Sequence, residues 1–272
     1  MILGQISDLH IKAPGKKCYG VVDTAGSLRR CIAHIQNLKQ KPDAIVITGD
    51  LVDSGLPIDY AHLRELLAPL SMPYYLIPGN HDERDALRTA FPDHGYLRQH
   101  PDRIEYVIDE HELRIVALDT VVPRESGGRL DPASMLWLDR TLSTAPERPT
   151  MLLMHHPPFK TWIGHMDDVG LANPEILHPV VSRHPQVERI LCGHLHRSIQ
   201  TRFGGTIAST CPSPAHQVQL DLGPDAPSRF VMEPPGYQLH AWDRLSGVVS
   251  HTACIGEFDG PYPFHDENGL ID

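Results

Sequence analysis

Residues 44–50 have the sequence AIVITGD, in which a short apolar run is followed by a glycine and a single aspartate. Runs of roughly four to eight apolar and β-branched residues bounded by Gly or Pro are typical of buried strands. Stretches with helical periodicity separate this run from others like it, so the sequence predicts an α/β fold built on a sheet. The other runs of this form are Ile2 to Ile6, Tyr74 to Pro78, Met151 to Met154 and Ile190 to Cys192.

Each of these predicted strands is followed directly by side chains that bind metals in proteins. In open α/β sheets the functional groups lie just beyond the carboxyl ends of the strands, so we expect these segments to converge on one edge. One such motif alone is weak evidence, whereas five in this order are strong evidence for a two-metal site. The segments are Asp8-Leu9-His10, Gly49-Asp50, Gly79-Asn80-His81-Asp82, His155-His156 and Gly193-His194-Leu195-His196.

The residue types fit two divalent cations, which at about 3.5 to 4 Å apart can clamp a phosphoryl group. Asp50 is the best candidate for a bridging carboxylate, since each of its oxygens can reach one metal. Asp8 and His10 are two residues apart, so in extended backbone they point the same way and can bind one metal.

The other candidate ligands are an amide and three histidines. Asn80 offers a neutral carbonyl oxygen, and His155 completes the second metal site. His194 and His196 also stand two apart, but metal sites often divide such a pair. A mixed nitrogen and oxygen set without thiolate suits Zn, Mn, Fe or Co. Taken singly, each carboxylate or amide is more often a turn former or helix cap, and each histidine a surface or core residue.

Composition restricts the location and the partners of the chain. The 272 residues carry a formal net charge of −10, which disfavours binding to a nucleic-acid polymer through phosphate contacts. No apolar stretch approaches the roughly 20 residues that span a bilayer, and the first strand begins too early for a removable leader. The five cysteines form no CxxC motif. We therefore expect a cytoplasmic protein without a membrane partner.

The pattern along the chain predicts one domain, residues 1–272, with a core at about 1–200 and an irregular C-terminal elaboration at about 201–272. Two early helices, a hairpin at 104–118, a helix capped by Asp131 and a helix from Asn173 limited by Pro179 fill the core. Gly204-Gly205 predicts a turn between two strands. The proline-rich, aromatic tail from Phe258 either folds back or contacts a neighbouring subunit, which favours a homo-oligomer, a dimer or higher.

The five motifs, in order, resemble the signature of the calcineurin-like metallophosphoesterase superfamily over about residues 1–200. The chain is most similar to class III cyclic nucleotide phosphodiesterases and bacterial glycerophosphodiesterases. This closer likeness depends on four segments: Lys17-Cys18-Tyr19-Gly20, Pro78-Gly79-Asn80-His81-Asp82, Met154-His155-His156-Pro157-Pro158 and Ala215-His216-Gln217.

The resemblance implies a four-layer αββα sandwich and a role for each motif residue. It assigns Asp8, His10, Asp50 and His196 to the first metal, and Asp50, Asn80, His155 and His194 to the second.

The resemblance also implies residues that contact the substrate. His81 resembles a family histidine that lies beside the metals and donates to the phosphate or leaving oxygen, and Asn80 lies in the same segment. Tyr19 and His216 resemble substrate-contacting positions, although packing for Tyr19 and a loop hydrogen bond for His216 are equally open. Asp53 is a departure, because some relatives carry an amide there; the extra carboxylate could alter metal affinity or disfavour highly charged substrates.

The expected function is a dinuclear metal-dependent phosphodiesterase that hydrolyses cyclic nucleotides or glycerophosphodiesters to a phosphomonoester and an alcohol. Asp50 and His81 are the expected catalytic residues. A phosphomonoesterase or nucleotidase of the same fold is one alternative, since fold alone does not fix the substrate. A non-catalytic scaffold is another, but such proteins typically lose ligands, and here every ligand is present.

Overall fold

The computed structural model describes residues 1–267, 269 and 270, and is built around two large β-sheets. In the first sheet the strand order is β13-β12-β1-β2-β3. β1, β2 and β3 are parallel, as expected from the helical crossovers between them, whereas β12 runs antiparallel to β1. The bounds are β1 (Ile2–Ile6), β2 (Ala44–Thr48), β3 (Tyr74–Ile77), β12 (Gly236–Asp243) and β13 (Gly247–Cys254).

The second sheet has the strand order β4-β5-β6-β7-β9-β8. β4 and β5 form the predicted hairpin, and β8 and β9 pair around the predicted turn at Gly204-Gly205. The bounds are β4 (Tyr106–Ile108), β5 (Arg114–Ala117), β6 (Thr150–Leu153), β7 (Val187–Cys192), β8 (Ile199–Phe203) and β9 (Thr206–Thr210). Two short pairs are added, β10 (Gln217–Val218) with β11 (Phe230–Val231) and β14 (His265–Asp266) with β15 (Gly269–Leu270).

Helices cover the outer faces of both sheets. The Asp131 side chain accepts a hydrogen bond from the amide of Ala133, which confirms the predicted cap of α4. The helices are α1 (Thr24–Gln36), α2 (Pro57–Leu67), α3 (Arg84–Ala90), α4 (Pro132–Ser143), α5 (Gly164–Asp167) and α6 (His178–Ser182), with 3₁₀ turns at Gly95–Arg98 and Pro174–Ile176.

Alternate residues of one strand show how the layers are stacked. Ile115 of β5 belongs to the core that joins the two sheets with α1 and α2, whereas Val116 belongs to the core under α4 and α6. Because successive side chains of a strand point to opposite faces, the second sheet is covered on both sides. The order helix, sheet, sheet, helix confirms the four-layer sandwich.

Two expectations need correction. The single helix predicted from Asn173 is wrong, since a 3₁₀ turn and the separate helix α6 replace it. Pro179 lies in the first turn of α6, where its missing N–H costs no hydrogen bond. The C-terminal part is also more regular than its prolines suggest, because β12 and β13 extend the first sheet.

The described part of the tail exposes its aromatic rings. Phe258, Tyr262 and Phe264 are 66, 72 and 82% exposed, whereas a tail folded back on its own core would bury them. Residues 268, 271 and 272 of the predicted tail lie outside the described residues. None of the described helices combines the length and apolarity that crossing a bilayer requires.

Candidate metal centre and active-site pocket

Four of the predicted ligands form one compact group beyond the carboxyl ends of β1, β2 and β7. The Nε2 atom of His10 lies 3.1 Å from Nε2 of His196 and 3.6 Å from Oδ2 of Asp50. The Oδ1 atom of Asp8 lies 3.7 Å from Nε2 of His196. One donor atom from each of the four lies within 4.8 Å of the others, which is close enough to share one ion.

The remaining predicted ligands form a second group on the other side of Asp50. Nε2 of His155 lies 3.2 Å from Oδ1 of Asn80 and 3.5 Å from Oδ1 of Asp50. Nδ1 of His194 lies 3.1 Å from the same Asn80 oxygen. The two oxygens of Asp50 therefore face different groups, and His194 and His196 are divided between the groups.

The backbone at these residues is strained. A positive φ is uncommon for residues other than glycine, and strain of this kind is concentrated at functional sites. Five of the seven predicted ligands have it: Asp8 (56°), His10 (47°), Asp50 (48°), His194 (71°) and His196 (52°).

Glycines in the motifs allow the two sheets to approach at the site. Gly49 has a φ of +91°, and a Cβ there would lie 2.3 Å from Nδ1 of His155. A Cβ on Gly193 would lie 2.3 Å from Oγ of Ser7. Larger residues at either position would separate the edges that carry the ligands.

Each of the four imidazoles is oriented by a hydrogen-bond partner at its outer nitrogen. Nδ1 of His155 donates to the carbonyl of Thr48, and Nδ1 of His196 donates to that of His216. Nε2 of His194 donates to the carbonyl of Val169. His10 donates from Nδ1 to Asp53. The second nitrogen of each ring is thereby turned toward the ligand groups, as in metal sites.

The electrostatics of the buried carboxylates fit cations. Burial raises the pKa of Asp8 to about 6, and its Oδ2 atom is buried without a hydrogen-bond partner among the described residues. Burial acts to raise the pKa of Asp50 too, but His155 and His81 hold it well below its ordinary value. A buried, unpartnered carboxylate oxygen is costly, and a metal ion would satisfy it.

The pKa values of the histidines differ from one ligand to the next. Burial lowers the pKa of His194 to about 3 and that of His196 well below its ordinary value, which leaves both rings in the neutral form that binds metals. Burial opposes protonation of His155 as well, but Asp50 raises its pKa to about 9. The donor set of three carboxylate or amide side chains and four imidazoles thus fits divalent ions.

Asp53 connects several residues around the first group. Besides accepting from His10, its carboxylate is paired with Lys12 and accepts from Sγ of Cys18 at 3.2 Å. Burial opposes ionisation, but the hydrogen bonds from His10 and Lys12 hold the pKa of Asp53 below its ordinary value. The carboxylate is thus committed to protein partners, which leaves less of its charge to repel a substrate.

His81 lies beside the ligand groups. Its backbone N–H donates to Oδ1 of Asp50, and its Nδ1 donates to the carbonyl of Asp53 at 2.8 Å. The side chain is 34% exposed and lines the pocket, so its Nε2 is available to a ligand. His156, by contrast, has both nitrogens bonded, to Thr120 and to the carbonyl of Ser126.

A pocket of about 570 Å³ opens over both groups. Tyr19 and His216, the positions to which the resemblance assigns substrate contact, line it together with Asn80 and His81. Eight further lining residues were not predicted from the sequence, because they lie in segments without a clear periodicity or a ligand motif: Ser126, His165, Met166, Val169, Val218, Ser228, Arg229 and Phe230.

Comparisons with known proteins indicate the family to which the chain is similar. A model of the calcineurin-like phosphoesterase family matches residues 1–198. A probable glycerophosphodiester phosphodiesterase from Arcobacter nitrofigilis is 42% identical over 100% of both chains. The 3',5'-cyclic adenosine monophosphate phosphodiesterase of Escherichia coli K12 is 32% identical over 92% of this chain and 89% of its own. These matches confirm the resemblance inferred from the motifs.

A solved structure supports the fold alone. A dimetal phosphatase from Danio rerio superposes with a TM-score of 0.62 at 16% identity, over 94% of this chain and 99% of that one.

Proposed function

Because the chain belongs to the calcineurin-like phosphoesterase family, we propose that it is a dinuclear metal-dependent phosphodiesterase. Its substrates are small phosphodiesters, cyclic nucleotides or glycerophosphodiesters, which are the substrates named for the relatives from Escherichia coli and Arcobacter nitrofigilis. The products are a phosphomonoester and an alcohol. The observation that carries the proposal is the position of Asp50, whose oxygens face two separate ligand groups.

Two divalent ions, Fe, Mn, Zn or Co, fit these groups. Asp8, His10 and His196 would hold the first and Asn80, His155 and His194 the second, and Asp50 would be shared between them. When bound, the ions supply Lewis-acid activation of the phosphate and of the attacking water.

The protein's own residues position the diester and manage its protons. His81 is held through Nδ1 by the carbonyl of Asp53, so the doubly protonated ring can transfer the proton on Nε2 to the departing alkoxide oxygen and is left neutral. Asn80 lies at the floor of the pocket beside the phosphate position. His216 and Tyr19 line the pocket wall and contact the organic part of the substrate.

Metal content and product analysis test the proposal together. Protein purified without chelator is expected to contain about two equivalents of divalent metal and to convert a diester to one phosphomonoester and one alcohol. Absence of bound metal would favour a non-catalytic scaffold. Release of inorganic phosphate from a monoester, with the diester left intact, would favour a phosphomonoesterase or nucleotidase.

We also propose a single domain, a cytoplasmic location and a homo-oligomer. β12 pairs with β1, and Tyr237 belongs to the same core as β1, which supports one folding unit. All five cysteines are free, in keeping with a reducing compartment. The exposed rings of the tail supply apolar surface for contact between copies.

A further inference from the structure

Two aromatic rings stand together at the mouth of the pocket. Tyr19 and Phe230 are stacked with their centroids 5.1 Å apart and their planes inclined by 26°. Tyr19 is 55% and Phe230 38% exposed, and both line the pocket. Apolar ring surface is therefore open to a ligand beside the metal centre.

The backbone of Tyr19 is strained, and hydrogen bonds on both sides of the residue fix its conformation. Tyr19 and Gly20, with φ values of 50° and 73°, are the central residues of a tight turn in which the amide of Val21 donates to the carbonyl of Cys18. Cys18 and Val22, which flank this turn, hydrogen-bond to each other in both directions. Such turns favour glycine or asparagine at both central positions. A tyrosine held there at an energetic cost indicates a function for the ring.

His216 links the ring pair to the metal centre. Its ring lies edge-on to Tyr19 at 5.4 Å and to Phe230 at 5.3 Å, and 4.6 Å from the ring of His196. His216 is only 2% exposed, and its Nδ1 has no hydrogen-bond partner among the described residues. The pair is thus two ring contacts from a metal ligand, within reach of a group esterified to the phosphate.

We propose that Tyr19 and Phe230 form a stacking platform for a planar aromatic group of the substrate, such as a nucleobase. The proposal rests on the phosphodiesterase function above and narrows its substrate class toward base-bearing diesters. Stacking on an aromatic side chain tolerates any base, because every base has a π-face. The same surface contributes little binding energy for a glycerol or ethanolamine group, because neither has a ring.

The test compares two diesters on the metal-loaded protein, 3′,5′-cyclic AMP and glycerophosphoethanolamine. Phe230→Ala is expected to lower kcat/KM for cyclic AMP about tenfold, mainly through KM, and to change the value for glycerophosphoethanolamine less than about twofold. Phe230→Tyr, which keeps a ring, should retain the cyclic AMP value. Leu136→Ala, at an exposed apolar position of α4 outside the pocket, is the matched control.

Two results in that assay would overturn the platform: no loss on cyclic AMP, or an equal loss on both diesters. A drop in the mass of Phe230→Ala in light scattering would also overturn it, since the rings would then contact a second copy.

A binding measurement distinguishes failure of the stacking platform from failure of the proposed function. If the loaded wild type cleaves neither diester, the proposed function fails. The platform still predicts that AMP binds about tenfold tighter than ribose 5-phosphate by calorimetry, and that Phe230→Ala removes the difference. Equal binding of the two ligands to the wild type would contradict it.

Discussion

Asp50 is the residue on which the proposed metal centre depends, since each of its oxygens faces a different ligand group. Asp50→Asn keeps the size of the side chain but removes its charge. We expect bound metal, measured by atomic emission, to fall from about two equivalents to well below one, with loss of diesterase activity. Asp131→Asn, at the surface cap of α4, should keep both. Unchanged metal in the Asp50 variant would disprove the shared ligand.

Substitution of His81 should lower the rate without removing metal, unlike substitution of Asp50. Its nitrogens are not needed to complete either ligand group, so His81→Ala is expected to keep its metal. The rate should fall by roughly 10² to 10⁴, the range for a group that transfers a proton. His251→Ala, at an exposed position of β13, is a control for histidine removal. Metal loss from the His81 variant would instead place His81 among the ligands.

For individual residues, the sequence predicts the site residues that belong to motifs and misses the site residues that do not. Asp8, His10 and the other motif residues follow buried strands, and the sheet edges bring them together. Phe230 and Arg229 follow a proline-rich stretch with no periodic pattern, so only the tertiary structure places them in the pocket. The positive φ of the ligands was likewise not predictable, because it follows from the convergence of the strand ends.

Among the elements, the segment 161–169 illustrates how a loop supports the site. Asp167 accepts hydrogen bonds from the amide and hydroxyl of Thr161 and the amide of Trp162. Val169, two residues on, provides the carbonyl that orients His194.

Removal of the Asp167 carboxylate should therefore weaken both the fold and the second metal site. Asp167→Ala leaves several partly buried donors unpaired, and we expect the free energy of unfolding in urea to fall by about 1–3 kcal/mol. Metal titration should show weaker binding of the second equivalent. Asp168→Ala, at the exposed neighbouring carboxylate, is the matched control, and equal effects of the two variants would contradict this role.

A strong apolar pattern identified some elements in the sequence and a glycine turn identified β8 and β9, whereas β12 and β13 were not predicted. β2 is buried along its whole length, so its sequence alone identifies it. β12 and β13 follow two prolines, and β13 alternates between half-buried and exposed residues at the edge of the sheet. Such an edge strand gains its order from pairing with β12 rather than from its own apolar content.

At the scale of the whole molecule, the exposed tail predicts assembly. Phe258, Tyr262 and Phe264 place large apolar rings in solvent, which is unfavourable unless another copy covers them. Removal of residues 259–272 should lower the mass measured by light scattering, with an unchanged circular dichroism spectrum. A full-length protein that is already monomeric would refute the homo-oligomer.

The charge distribution of the pocket determines whether a phosphodiester or a phosphomonoester is expected to be the better substrate. Lys12, Arg84 and Arg197 near the motifs are each paired with a carboxylate, so they are not free to hold a phosphate dianion. Asp82 likewise lies buried, where it accepts backbone N–H groups rather than facing the pocket. Among the described residues that line the pocket, Arg229 is the one lysine or arginine.

A monoester brings nearly two negative charges and is better held when cationic side chains supplement the metals, whereas a diester brings one. The scarcity of free cationic side chains around the pocket therefore favours the diester over the monoester.

The most direct test is the ratio of kcat/KM for bis(p-nitrophenyl) phosphate to that for p-nitrophenyl phosphate, with Mn, Co or Zn saturating. A dinuclear phosphodiesterase is expected to favour the diester by at least about tenfold, which corresponds to about 1.4 kcal/mol of transition-state binding. Equal or reversed efficiencies would contradict the account and identify the chain as a phosphomonoesterase.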